Sequence, residues 1–175
     1  MRLIGRRSVA SVMRWVLGFV NIFVAVGAVI VGLVLLASVF VPDFAAGLMD
    51  GLTKAEADPS RALMLSERVT YAAAFVATAS TWWIINRLRR IFLAVNQGDA
   101  FEPANVGRLQ GVGLGLIGVQ IASAILVFTG PMAEGVTTRD YDANLGAWLG
   151  ILIVFMLAEV FRQGATMRDD QQMTV

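Results

Sequence analysis

Four long apolar segments, separated by short polar ones, constrain the fold of this chain more than any other feature of its sequence. They cover residues 15–41, 69–86, 110–130 and 145–161, and charged residues or proline bound each of them. A helix needs about 20 mostly apolar residues to cross the hydrocarbon layer of a bilayer. The pattern therefore predicts an all-α integral membrane protein with four membrane-spanning helices.

The amino-acid composition excludes most kinds of membrane enzyme. The 175 residues are 57% hydrophobic and include neither cysteine nor histidine. Disulfides, Cys/His zinc sites, histidine-ligated haem and hydrolase mechanisms with a histidine base are therefore excluded. The remaining residues form no recognisable nucleophile–base pair or metal-ligand set. We expect no enzymatic activity, no cofactor and no metal.

The distribution of basic residues predicts the orientation in the membrane. Of the 14 Lys and Arg residues, ten lie before the first apolar segment, in the 87–109 loop or in the 162–175 tail. Lys and Arg concentrate in loops that stay in the cytoplasm. We therefore predict a single transmembrane domain over 1–175, a four-helix bundle of up-down-up-down order with both ends inside. The 87–109 loop and the 162–175 tail are then cytoplasmic.

The cytoplasmic loop is predicted to begin as a continuation of the second spanning helix. Gly98 can adopt the positive φ that ends a helix, and the fixed φ of Pro103 suits the start of the next one. Arg87 and Arg90 lie on the helix face opposite an apolar stripe, near anionic headgroups. The loop is either a membrane-anchored connector or a docking surface for a cytosolic partner. The stripe has i, i+3, i+4 and i+7 spacing and consists of Leu88, Ile91, Phe92 and Val95.

Small residues in the third and fourth segments predict close helix packing. Gly111 and Gly115 have the GxxxG spacing, and so do Gly146 and Gly150. Such spacing lets helix backbones approach closely in lipid. The contacts are either within one chain or across a homodimer.

Three polar residues within the spans are candidates for a role inside the membrane. Asn21 and Gln120 suit hydrogen bonds between helices or contacts to a substrate. Glu159 precedes Arg162 by three residues, which predicts a structural ion pair. An ionisable group within a span also suits a proton-linked or ligand-binding role.

Two stretches of the sequence carry a family resemblance. LRRIFLAVNQGDAFEPANVGRL in the loop and AEVFRQGATMRDDQQMTV at the C-terminus resemble the domain-of-unknown-function 2975 family of small bacterial four-span membrane proteins. The resemblance implies location in the cytoplasmic (inner) membrane of a bacterium. The matching positions are Gly98, Phe101, Asn105, Arg108, Leu109, Glu159, Phe161, Arg162, Gly164, Thr174 and Val175.

The resemblance also implies a kind of partner. The family has no established activity, but its genes often lie beside one for a small helix-turn-helix regulator, which implies that the membrane protein holds or modulates that regulator. The tail differs from the usual acidic-Leu-Thr-Val/Ile ending at Gln172 and Met173, and this difference affects partner identity if the tail docks. The tail is either captured by a partner in extended form or is an unstructured, solvated segment.

Two functions remain open. The first is a membrane anchor or modulator that binds a cytosolic helix-turn-helix regulator through the loop and tail. The second is a small dimeric transporter or a membrane-ligand-binding protein. We expect no direct contact with nucleic acid, because no DNA-binding motif accompanies the arginines. The residues expected to bind the partner are Arg87, Arg90, Gly98, Phe101, Asn105, Arg108, Arg162, Thr174 and Val175.

Overall fold

The computed structural model describes residues 9–53, 65–99, 101–130 and 144–173, and its regular elements in these ranges are all α-helices. The all-α class that the sequence predicts is confirmed. The helices are α1 (Val9–Phe40), α2 (Pro42–Thr53), α3 (Leu65–Asn96), α4 (Pro103–Thr129) and α5 (Leu145–Met173).

Three of these helices have the length and apolar composition of membrane spans, within the described part of the chain. The candidate spans are Trp15–Phe40, Pro103–Thr129 and Leu145–Arg168. Many large apolar side chains on them are exposed, such as Phe23 at 63% and Met156 at 69%. An apolar surface of this extent suits lipid. These helices indicate a multi-pass membrane protein.

The predicted second span, 69–86, is helical throughout as part of α3, but α3 is not among the three candidate spans. The physical reason is that hydroxyl side chains dilute its apolar run. Thr78 is one of them, and its Oγ1 donates a hydrogen bond to the Ala74 carbonyl at 2.9 Å within the same helix. The order of four alternating spans therefore stays a prediction.

The chain divides into two compact units. The first unit contains residues 1–24, 80–117 and 144–175, and the second contains 25–79 and 118–143. Each unit has its own set of packing contacts between helices.

The second unit is organised around the buried face of α2. Ala45, Ala46 and Met49 are buried with Tyr71 of α3. The Tyr71 hydroxyl donates a hydrogen bond to the Ala45 carbonyl at 2.8 Å. Because a buried hydroxyl is costly without a partner, this bond fixes α2 against α3.

In the first unit, the Gly111 and Gly115 pair packs α4 against α3. The Trp83 indole nitrogen donates to the Gly111 carbonyl at 3.1 Å. A Cβ at Gly115 would lie 2.6 Å from Cγ1 of Ile84. Since residues near the end of α3 meet residues near the start of α4, the two segments are antiparallel. This glycine pair makes an intramolecular contact.

The Gly146 and Gly150 pair is different. A Cβ at Gly150 would meet no atom within 4 Å, and one at Gly146 would meet only Asn144, a neighbour in sequence, among the described residues. Packing of this pair across a homodimer stays a prediction.

We predict that Gly115→Ala lowers the free energy of unfolding by about 1–3 kcal/mol, because the added methyl group overpacks the contact with Ile84. The control is Gly107→Ala on the same helix, where a Cβ would meet nothing within 4 Å. That variant should be neutral or slightly stabilised, since alanine favours helix. Thermal unfolding of both proteins in one detergent measures the difference, and equal midpoints would show that the contact is loose.

Candidate interaction surface

The turn between α3 and α4 is fixed by hydrogen bonds of the backbone. Gly98 has φ +92°, its N–H donates to the Val95 carbonyl, and the Asp99 N–H donates to the Ala94 carbonyl, each at 3.1 Å. This pair of bonds is the Schellman motif, which closes a helix with a left-handed residue. The helix end at Gly98 and the helix start at Pro103 that the sequence predicts are both confirmed.

Arg108 is held by polar groups at the start of α4. Its Nη1 donates to Glu102 Oε2 at 2.8 Å and to Asn105 Oδ1 at 2.7 Å. The Asn105 N–H in turn donates to the Glu102 carbonyl at 2.8 Å. The three residues therefore fix the entry into α4 and orient the Arg108 guanidinium.

The structure gives Asn105 a different role from the one predicted. Its side chain is 0% exposed, so a partner cannot touch it directly. Asn105 instead positions Arg108, which is partly exposed. The sequence pattern could not distinguish a buried supporting residue from a contact residue.

The end of α5 packs directly on the turn. The rings of Phe101 and Phe161 lie 5.4 Å apart between centroids, with 42° between their planes. Gly164 faces the same Phe101 ring, and a Cβ there would lie 2.7 Å from Phe101 Cδ1. Gly164 therefore has to lack a side chain for the ring to lie where it does. Phe101 stays 45% exposed on its other side.

A salt bridge extends this contact. The Arg168 guanidinium of α5 pairs with the Asp99 carboxylate of the turn, and both side chains are partly exposed. Sequence reasoning did not identify either residue. The opposite charges of Asp99 and Arg168 were the available signal in the sequence. They indicate a salt bridge only once the tail is known to be helical.

The expectation of an unstructured tail is wrong for the described residues, because α5 continues to Met173. The ion pair between Glu159 and Arg162 and the contact with the turn both favour helix in this region. Thr174 and Val175, which were expected to bind the partner, lie outside the described residues.

We define the loop–tail surface as residues 97–99, 101 and 102 of the turn together with 161–168 of α5. All of these residues belong to the first unit. Gly98 and Phe101 contribute exposed atoms, and so does Met167, which is 62% exposed. The sequence did not single out Met167, because an apolar residue near the end of a spanning helix is unremarkable.

The other arginines of the predicted site differ in how much of their charge a partner could reach. The Arg87 guanidinium lies over the Trp83 ring at 4.2 Å from its centroid, a cation–π contact. Arg162 Nη2 pairs with Glu159 Oε1 at 2.6 Å on an exposed face of α5, so the predicted ion pair is confirmed. Arg90 is exposed and borders a cavity described below.

The two predicted intramembrane amides lie in different units. Asn21 Oδ1 is buried and accepts no hydrogen bond from the described residues, so the bond between helices predicted for this atom is not observed. Gln120 is half-buried on α4.

The described residues contain no group of three or more His, Cys, Asp or Glu side chains that could hold a metal ion. The loop–tail surface itself consists of apolar rings and a few charged groups.

The three long apolar helices indicate the class of this protein, a multi-pass, α-helical membrane protein. A family model described as "Protein of unknown function (DUF2975)" matches residues 38–175. The chain belongs to this family, which confirms the resemblance found in its sequence. Comparison with curated proteins and with solved structures gives no match.

We predict that Gly164→Val loosens the loop–tail surface, because the new side chain would displace the Phe101 ring from Phe161. Amide hydrogen exchange in residues 97–102 should become faster by roughly tenfold, the effect of about 1–3 kcal/mol of overpacking on local opening. Gly150→Val on the same helix is the control, since a Cβ there has open space. Unchanged exchange in the turn of Gly164→Val would contradict the packing described here.

Proposed function

We propose that this protein is a non-enzymatic membrane anchor whose loop–tail surface binds a cytosolic protein and holds or modulates it. The partner class is a helix-turn-helix transcriptional regulator, as the family resemblance implies. In this proposal the protein lies in the bacterial inner membrane as four spans with both ends in the cytoplasm.

One observation carries the proposal: the two stretches that mark the family in sequence meet in space. Phe101 of the loop lies against Phe161 and Gly164 of α5, although about 60 residues separate them in the chain. If the loop and the end of α5 served only to end their own helices, they would not need to contact each other. Together they form one surface that includes the exposed ring of Phe101, and aromatic rings are frequent anchors at protein interfaces.

The charges around the ring suit a contact that forms and separates. Asp99 and Arg168 pair across the surface while remaining partly exposed. Pairs of this kind contribute little to stability in water, so a partner can exchange them for its own charged groups at small cost. Such charged pairs therefore contribute more to the orientation of a partner and to its association rate than to its binding affinity.

The orientation rests on the basic residues, ten of which lie on the proposed cytoplasmic side against four on the other. The non-enzymatic role is supported by the absence of cysteine and histidine from the whole sequence. Both supports are independent of the packing at Phe101.

Single cysteines test the orientation cleanly, because the chain has no cysteine of its own. We expect Gln97→Cys to react with a membrane-impermeant maleimide only after the cells are permeabilised. Asp43→Cys, which follows α1 at the opposite end of its span, should react in intact cells. Both native side chains are exposed. The reverse pattern, or labelling of both in intact cells, would refute the proposed topology.

Site-specific photocrosslinking tests the partner. A benzophenone amino acid at position 97, introduced into the full-length protein in its host, should form an adduct with a DNA-binding regulator. Gly164→Val should reduce the adduct by about tenfold, because one displaced interface anchor commonly costs more than 1 kcal/mol. Gly150→Val should leave the yield unchanged.

An adduct of equal yield in Gly164→Val and Gly150→Val would mean that the loop–tail surface does not carry binding. An adduct with a soluble protein that lacks a DNA-binding domain would support the loop–tail surface as a binding site. It would contradict the proposal that the partner is a DNA-binding regulator.

A further inference from the structure

The first unit contains a cavity of about 690 Å³ that is separate from the loop–tail surface. It lies between the first turns of the α1 candidate span and the last turns of α3. The residues that line it are Trp15, Gly18, Phe19 and Ile22 of α1, and Asn86, Arg89, Arg90 and Leu93 of α3.

One wall of the cavity carries an arginine whose hydrogen bonding is incomplete. Arg89 Nε is buried and has no hydrogen-bond partner among the described residues. No acidic residue is among those that line the cavity. A buried donor on a charged group is costly when it is left unpaired. The site therefore favours an anionic acceptor from outside the chain.

Gly18 lies against this arginine. A Cβ at position 18 would lie 3.7 Å from both Nε and Nη2 of Arg89. The guanidinium thus lies directly over a part of α1 that carries no side chain. A single methyl group fits at this distance, but a side chain larger than alanine would extend into the space beside the guanidinium.

The α1 side of the lining is apolar and open to the surroundings. Phe19 is 56% exposed and Ile22 is 62% exposed, and both belong to the first turns of a candidate membrane span. Trp15, at the start of that span, is 76% exposed, and tryptophan prefers the level of the headgroups. The arginines and the apolar side chains therefore lie where the headgroup and the acyl chain of a lipid meet.

The geometry points to a binding site for one anionic phospholipid, with its phosphate on Arg89 and Arg90 and an acyl chain along Phe19 and Ile22. A planar guanidinium with several donors matches the oxygen atoms of a phosphate group. Charge complementarity selects an anionic lipid over a zwitterionic one, since the headgroup amine of the latter would meet two arginines and no carboxylate in the described lining. The apolar wall selects a lipid over a soluble phosphate.

This site does not depend on the proposed regulator. It uses residues of α1 and α3 that the loop–tail surface does not contain. Lipid binding at this site is therefore independent of which soluble protein binds the loop–tail surface.

The test is a lipid titration of the full-length protein in a neutral detergent, followed by native mass spectrometry. The probes are phosphatidylglycerol, phosphatidylcholine with the same acyl chains, and glycerol phosphate, which has the headgroup chemistry without the chains. The variants are Arg89→Gln and Gly18→Leu. Arg162→Gln is the control, because it removes an arginine of the same unit that does not line the cavity.

We expect the native protein to bind phosphatidylglycerol about tenfold more tightly than phosphatidylcholine, the effect of one or two charge-assisted hydrogen bonds. Arg89→Gln should abolish this preference. Gly18→Leu should weaken the binding of both lipids by filling the cavity, and Arg162→Gln should change neither.

Three results would overturn the assignment. They are an unchanged lipid preference in Arg89→Gln, unchanged lipid binding in Gly18→Leu, and competition by glycerol phosphate as strong as that by the lipid, which would indicate a soluble anion. If Arg89→Gln does not fold, Arg90→Gln and Gly18→Leu decide the question with the same probes.

Discussion

Close approach of helices at residues without side chains is the constraint on which the first unit depends. Lipid provides no hydrophobic drive between helices, so they must gain stability from short contacts and a few polar bonds. At Gly115 the α4 backbone meets Ile84, and at Gly164 the α5 backbone meets the ring of Phe101. Gly111 adds a carbonyl that accepts the Trp83 indole N–H. Each contact would be lost or strained with a larger side chain, and together they determine where the turn and the end of α5 meet.

The arginines of this chain are less uniform than their number indicates. The predicted topology accounts for where they concentrate in the sequence, but their local roles differ. Arg108 is held by Glu102 and Asn105, and Arg168 is paired with Asp99. Arg89 alone among them has a buried donor without a partner in the described residues. The charge available for recognition therefore depends on these contacts and cannot be read from the count.

Sequence periodicity and turn chemistry were sufficient for the helical class, the helix end at Gly98 and the helix start at Pro103, because local backbone preferences determine these features. They were insufficient where tertiary contacts decide. The apolar content of 69–86 suggested a span as clear as the others, although its hydroxyl groups dilute it. The polar tail looked unstructured, since the helix there is favoured by contacts with a turn distant in sequence. Asn105 matched a motif, but only its burial distinguishes a supporting residue from a binding one.

The continuity of α5 has a mechanical consequence. The helix has 29 residues, about 43 Å at roughly 1.5 Å per residue, which exceeds the hydrocarbon thickness of about 30 Å. The helix α5 thus continues without a break from its candidate membrane span to its contact with Phe101, and it contains no proline at which it could bend. Membranes of different thickness impose different tilts on long helices. A change in the tilt of α5 would therefore displace its C-terminal part together with the turn that packs against it.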